Sequence, residues 1–197
     1  TASKSIKIYS STTVLATEFT DITFPPDYWT ALDANGDGYT WVRTTEFVQS
    51  SPAAIRYEYN TSSQANDWFF TPGVTLDPSK GYRLNYSYRG QDATLMEKFK
   101  VLYGIAPVPA NMTNTIANHS NITSTTYVTN QVGFSTSSLN TYYIGFQCYS
   151  DSNQYFLYID DISLEEIGIT DIQAAQIDDP APGSSKPQGI PFTPKAT

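Results

Sequence analysis

The 197-residue chain is 40% hydrophobic, 14% aromatic and 15% charged, with fifteen tyrosines and a formal net charge of −8. That length and apolar content suit one globular core, while the acidic balance argues against nucleic acid and anionic membrane as partners and leaves cations open. A single cysteine excludes an internal disulfide framework, and no apolar run approaches the ~18 residues of a membrane span.

In chain order, residues 1–12 read as an extension or edge strand around Ile6, Ile8 and Tyr9, and the opening TASKS reads as a mature or trimmed start. Residues 13–168 hold the predicted core. AAIRYEYN sets Ile55, Tyr57 and Tyr59 on one face and Arg56 and Glu58 on the other. GYRLNYSYRG sets Tyr82, Leu84, Tyr86 and Tyr88 against Arg83, Asn85, Ser87 and Arg89. KFKVLYG offers Phe99, Val101 and Tyr103, and TYYIGFQCY offers Ile144, Phe146 and Cys148. This is period-two patterning with one buried face per strand. Turn chemistry at Ser50, Thr71, Asp77 and Pro107 separates the segments. The only helical hint, Asp92 to Lys98, is too short to matter. The expectation is an all-β antiparallel sandwich of jelly-roll type. Residues 169–197 form a predicted extended tail, with five prolines between Asp178 and Thr197.

Four stretches, in order, resemble the cleaved-adhesin family, also described as choice-of-anchor J domains. They are ATEFTD with Glu18 and Phe19, YWTALDANGDGYTW from Tyr28 to Trp41, NDWFFTPGVTL from Asn66 to Leu76, and FLYIDDISLEE from Phe156 to Glu166. The second is similar to a W-x-x-x-D-x-D-G-D-G-x-x-W pattern, with Asn35 in place of an acidic residue. The third has Asn66 and Asp67 in reversed order. The resemblance implies a jelly-roll sandwich with bound calcium, related in shape to MAM domains and carbohydrate-binding modules. It implies bacterial-surface binding rather than catalysis.

Two groups are candidate calcium sites. Asp33, Asn35, Asp37 and Gly38 match the early positions of an EF-hand loop, but Thr44 stands where the bidentate Glu belongs. The loop therefore reads either as a different calcium site or as an Asx-rich turn. In the closing strand, alternation sets Asp160 in one stripe with Tyr158, Ile162 and Leu164, so it needs a cation or strong hydrogen bonds. The resemblance supports a calcium between Asp160 and Glu18 of the opening strand. Trp29 and Trp41 are expected to anchor the first loop in the core.

Arg83, Asn85 and Arg89 line a polar strand face that reads as a ligand-binding surface or as a solvated face with cross-strand ion pairs. His119, in ANHSNITSTT, reads as an exposed loop residue, and Cys148 as a small core residue. With no nucleophile elbow and no zinc spacing, no enzyme is expected. The sequence thus predicts a secreted or outer-membrane-surface adhesion module, stabilised by calcium, that binds a glycan or a protein. The alternative is a structural subunit of a larger surface complex, docked through its termini and C-terminal tail.

Overall fold

A computed structural model describes residues 12–17 and 19–167, together with the backbone of 177–179 and 195–196. The described strands are β1 (Thr12–Thr17), β2 (Thr30–Asp33), β3 (Trp41–Thr44), β4 (Ala54–Tyr57), β5 (Asp67–Phe70), β6 (Val74–Leu76), β7 (Gly81–Gly90), β8 (Glu97–Gly104), β9 (Asn114–Ile122), β10 (Val128–Phe134), β11 (Asn140–Cys148), β12 (Leu157–Ile167), β13 (Ile177–Asp179) and β14 (Lys195–Ala196). Two six-stranded antiparallel sheets form the sandwich. One runs β10-β7-β12-β4-β3, with β1 also on β12; the other runs β2-β5-β11-β8-β9, with β6 also on β11. The chain passes between the two sheets after β1, β2, β4, β6, β7, β9, β10 and β11, the repeated crossing of the jelly-roll form. β13 pairs with β14 in a separate two-stranded ladder. The predicted N-terminal extension, Glu18 and most of the tail lie outside the described residues.

Alternation places the core as the sequence predicts in four strands. Ile55 and Tyr57, then Tyr82, Leu84 and Tyr86, face Phe99 and Val101, then Ile144, Phe146 and Cys148, all buried. Tyr59, Tyr88 and Tyr103 are partly buried and pack against this core. A buried tyrosine needs a partner for its hydroxyl. Tyr86 finds two, His119 Nε2 and Asn130 Nδ2, each at 2.7 Å. Its ring meets Phe99 and Phe146 edge-on, at 5.9 and 5.6 Å.

β12 departs from the predicted alternation. Leu157 and Ile159 face the core, and so do Ile162 and Leu164. The phase flips because a bulge at Asp160–Asp161 shifts the register against β7 and holds Asp161 at φ 53. Asp160 therefore does not share a face with Ile162 and Leu164. It sits with Tyr158 on the outer face, beneath the segment that carries Phe47 to Ser50. First and last strands of the sandwich are neighbours, since β1 pairs with β12 from Thr12↔Glu166 to Thr17↔Ile162.

The outer face of the second sheet holds a smaller apolar cluster of Trp68, Phe70, Leu102 and Met112. The chain from 105 to 113 closes over it. Gly104 permits that approach, because a Cβ there would stand 1.8 Å from the Asn111 carbonyl oxygen.

Candidate functional site: the capping loop and the strand faces

The loop from Asp33 to Trp41 closes one end of the sandwich. Trp29 and Trp41 are both buried at its ends, as the sequence predicts. Gly36 and Gly38 adopt φ of 71° and 84°, which ordinary side chains resist, so the Asn-Gly-Asp-Gly run specifies a tight double turn. Asp33 Oδ1 accepts from the Gly36 N–H at 2.7 Å and the Asp37 N–H at 3.3 Å, and its Oδ2 from the Gly38 N–H at 2.8 Å. Asp37 Oδ1 accepts from the Tyr39 N–H at 2.9 Å. Asp37 Oδ2 accepts from the side-chain amides of Asn35 at 3.2 Å and Asn60 at 3.0 Å. Asn35 also donates to the Gln64 carbonyl at 2.8 Å.

Asp33, Asn35 and Asp37 are thus brought together, and every carboxylate oxygen already receives a donor. Among the described residues no group of three or more His, Cys, Asp or Glu is arranged as metal ligands. What a calcium ion would find is a mixed set, two carboxylates with spare lone pairs and the Asn35 amide oxygen.

Under the loop lies a group that sequence reasoning missed. Asp67 pairs with Asp33 across the β2–β5 ladder and is fully buried. Its Oδ2 accepts the Asn66 N–H at 3.1 Å, while its Oδ1 has no partner. Burial pushes the Asp67 carboxyl up to about 7, and the negative charges of Asp33 and Asp37 push the same way. Thr40 Oγ1 and Tyr57 Oη are also buried without hydrogen-bond partners. The signal was present in DWFF, because alternation sets Asp67 on the same inward face as Phe69.

A second buried carboxyl, Glu97, accepts the Ser150 hydroxyl at 2.5 Å through Oε2 and leaves Oε1 unpaired. Its burial pushes it, too, up to about 7.

At the bulge, Asp160 is fully buried. Oδ2 accepts the backbone N–H groups of Gln49 at 2.9 Å and Ser50 at 3.1 Å, and Oδ1 accepts the Asp161 N–H at 2.8 Å. Burial raises the Asp160 carboxyl, and these three N–H bonds oppose the shift. The requirement for a cation or strong hydrogen bonds is met here by hydrogen bonds. Its expected partner, Glu18, lies outside the described residues. Asp161 instead accepts the Ser50 hydroxyl.

Arg83, Asn85 and Arg89 share the outer face of β7 but do not converge. Arg83 pairs with Glu165 at 2.8 Å, and Asn85 donates to Ser163 Oγ at 3.1 Å. Arg89 lies over the rings of Phe47 and Tyr158, at 4.8 and 5.6 Å. These are cross-strand and stacking contacts that occupy the side chains.

His119 is corrected by the structure. It lies on β9, not in a polar loop, with its ring stacked 4.6 Å from Phe99 and bonded to Tyr86. Burial lowers its pKa. An NHSN sequence hides this because the apolar partners come from β7 and β8. Cys148 is buried in the core as expected, and burial pushes its thiol far above the ordinary range.

The cleaved adhesin domain family matches residues 12–164 of this chain. No curated protein sequence matches it. Among solved structures, the K3 cleaved adhesin domain of Lys-gingipain from Porphyromonas gingivalis is 19% identical, with a TM-score of 0.62 over 79% of this chain and 99% of that one. The K1 domain of the same protein is 16% identical, with a TM-score of 0.58 over 80% and 97%. The CBM22-1 xylan-binding domain of Paenibacillus barcinonensis Xyn10C is 10% identical, with a TM-score of 0.59 over 82% and 98%. At these identities the structural likeness speaks to the fold, a β-sandwich shared by adhesin and carbohydrate-binding domains. No helix among the described residues is long and apolar enough to cross a membrane. With its family matched across the whole sandwich and the framing tryptophan loop in place, this chain belongs to the cleaved adhesin domain family.

Proposed function

We propose that the chain is a non-catalytic adhesion and recognition module of a bacterial cell surface or secreted protein, binding a glycan or a protein partner. The observation that carries this reading is the family match across residues 12–164. The chemistry agrees with it. The one histidine and the one cysteine, the groups most able to act as base or nucleophile, are spent on packing against Phe99 and within the core. The test is a binding panel of immobilised polysaccharides and surface proteins probed with the full chain. Saturable binding that free protein competes away is the expected result. A chain that binds nothing across both classes overturns the reading.

Calcium is part of the same proposal. Asp33, Asn35 and Asp37 stand on one short loop and would offer a cation two carboxylates and an amide oxygen, a set that suits the irregular oxygen shell of Ca2+. Glu18 and Asp160 are the second proposed pair. An ion bound only to the folded state raises stability by mass action. Saturating calcium should raise the Tm and a chelator lower it, with the loop contribution lost in Asp37→Ala. A Tm indifferent to chelator removes both sites. A chelator effect unchanged in Asp37→Ala removes the loop site.

A further inference from the structure

The outer face of the second sheet carries a polar row that the reading above does not use. Trp68 stands opposite Gln147 across β5 and β11, Gln147 opposite Lys100 across β11 and β8, and Lys100 opposite Asn118 across β8 and β9. Alternation turns Gln147 and Lys100 outward, because Phe146, Cys148, Phe99 and Val101 face the core. Trp68 is buried under the 105–113 chain, so the accessible row of Gln147, Lys100 and Asn118 crosses three neighbouring strands, its ends about 10 Å apart at the usual interstrand spacing of ~4.8 Å.

Tyr149 and Asn66 flank the row. Asn66 Oδ1 accepts from Gln147 Nε2 at 2.9 Å and Trp68 Nε1 at 3.3 Å. Tyr149 Oη donates to Asn118 Oδ1 at 2.6 Å. These bonds fix the amides in place and leave complementary groups outward: the Asn66 and Asn118 amide N–H groups, and the Gln147 carbonyl oxygen. Side chains fixed in this way lose little entropy on binding.

Lys100 sets the charge of the ligand. Its ammonium lies 4.8 Å from the centre of the half-buried Tyr149 ring. Among the described residues it forms no ion pair, whereas its neighbour Lys98 is paired with Asp151 at 2.6 Å. An unpaired ammonium amid amides and an aromatic ring is complementary to a carboxylate at contact, against the long-range repulsion that a chain of net charge −8 exerts on an anion.

We propose that this face binds a linear polysaccharide whose sugars carry carboxylates, laid across the strands. Lys100 meets a carboxylate, Tyr149 offers its ring to a sugar face, and Asn66, Gln147 and Asn118 meet hydroxyls. The inference rests on the recognition reading and names its ligand class and its surface.

The test is affinity electrophoresis of the full chain in gels containing polygalacturonate or hyaluronan as acidic probes and unsubstituted xylan as the neutral one. The wild type should be retarded by at least one acidic polymer more than by xylan. Lys100→Ala should weaken that retardation about tenfold or more, and Gln147→Ala should weaken it as well. Arg83→Ala on the opposite face should not. Lys100 is partly exposed, so its removal leaves the fold intact, which the Tm checks. Retardation unchanged in both Lys100→Ala and Gln147→Ala overturns the site. Equal retardation by xylan overturns the acidic ligand. A chain that ignores both acidic polymers yet binds elsewhere on the wider panel overturns this inference and leaves the recognition reading standing; a chain that binds nothing on either overturns both.

Discussion

Asp67 Oδ1 and Glu97 Oε1 are buried carboxylate oxygens without hydrogen-bond partners, and each carboxyl is pushed up to about 7. Their effect on stability has a definite sign. A carboxyl whose folded-state pKa is raised holds its proton in the folded protein after the unfolded chain has released it. Its contribution is complete below the ordinary carboxylate range and is lost as pH rises through about 7. His119 works the other way. Burial lowers its pKa, so its contribution is present above the ordinary histidine value and is lost as pH falls below it. Comparison with Asp67→Asn separates the two. Between pH 5 and pH 8 the wild-type Tm should fall more than the variant's, by roughly 3–5 °C. Equal slopes in thermal melts of the two proteins would show that Asp67 ionises as an ordinary carboxylate. Asp67 was hard to weigh from sequence because its surroundings come from distant segments. Trp41 reaches its backbone carbonyl at 3.2 Å, and the negative charges above it come from the capping loop. The loop residues themselves were legible, since Asn-Gly-Asp-Gly dictates its own turn.

Strands that keep strict alternation were readable one at a time. β4, β7, β8 and β11 bury the residues their patterns predict, because an unbroken pleat sends every second side chain to the same side. β12 was not readable in this way. Its Asp-Asp pair inserts a bulge, and one extra residue reverses every assignment beyond it. The local sequence gives no sign of the compensation, which arrives from 110 residues away as the N–H groups of Gln49 and Ser50. The bulge therefore depends on a carboxylate at position 160. Asp160→Ala removes the acceptor of three part-buried N–H groups and should cost about 2 kcal/mol or more in chemical denaturation. Asp160→Asn retains one acceptor oxygen and should cost less. A loss below about 1 kcal/mol in Asp160→Ala would mean that the 47–50 segment is held by something other than this carboxylate.

At the scale of the molecule, the described sandwich begins at β1 and closes at β12, which stand side by side. Among the described residues, the core of the two sheets is drawn from Val14 to Leu164. Ending the chain at residue 168 should accordingly leave the Tm within about 2 °C of the full chain, the effect expected of surface changes remote from the core. A cooperative transition lost on truncation would place part of the core in the tail. The sandwich form was legible because tyrosine-rich alternation and turn residues recur at strand length. Partner choice was not, since a binding face is assembled from strands far apart in sequence. The central claim, recognition without catalysis, is tested most directly by a mass balance on a bound ligand. The full chain is held at saturation with a glycan or protein from the binding panel, and the ligand is then recovered and analysed by mass spectrometry. A saturable isotherm with the ligand recovered intact is the predicted result. Products that accumulate with time and protein concentration would contradict it.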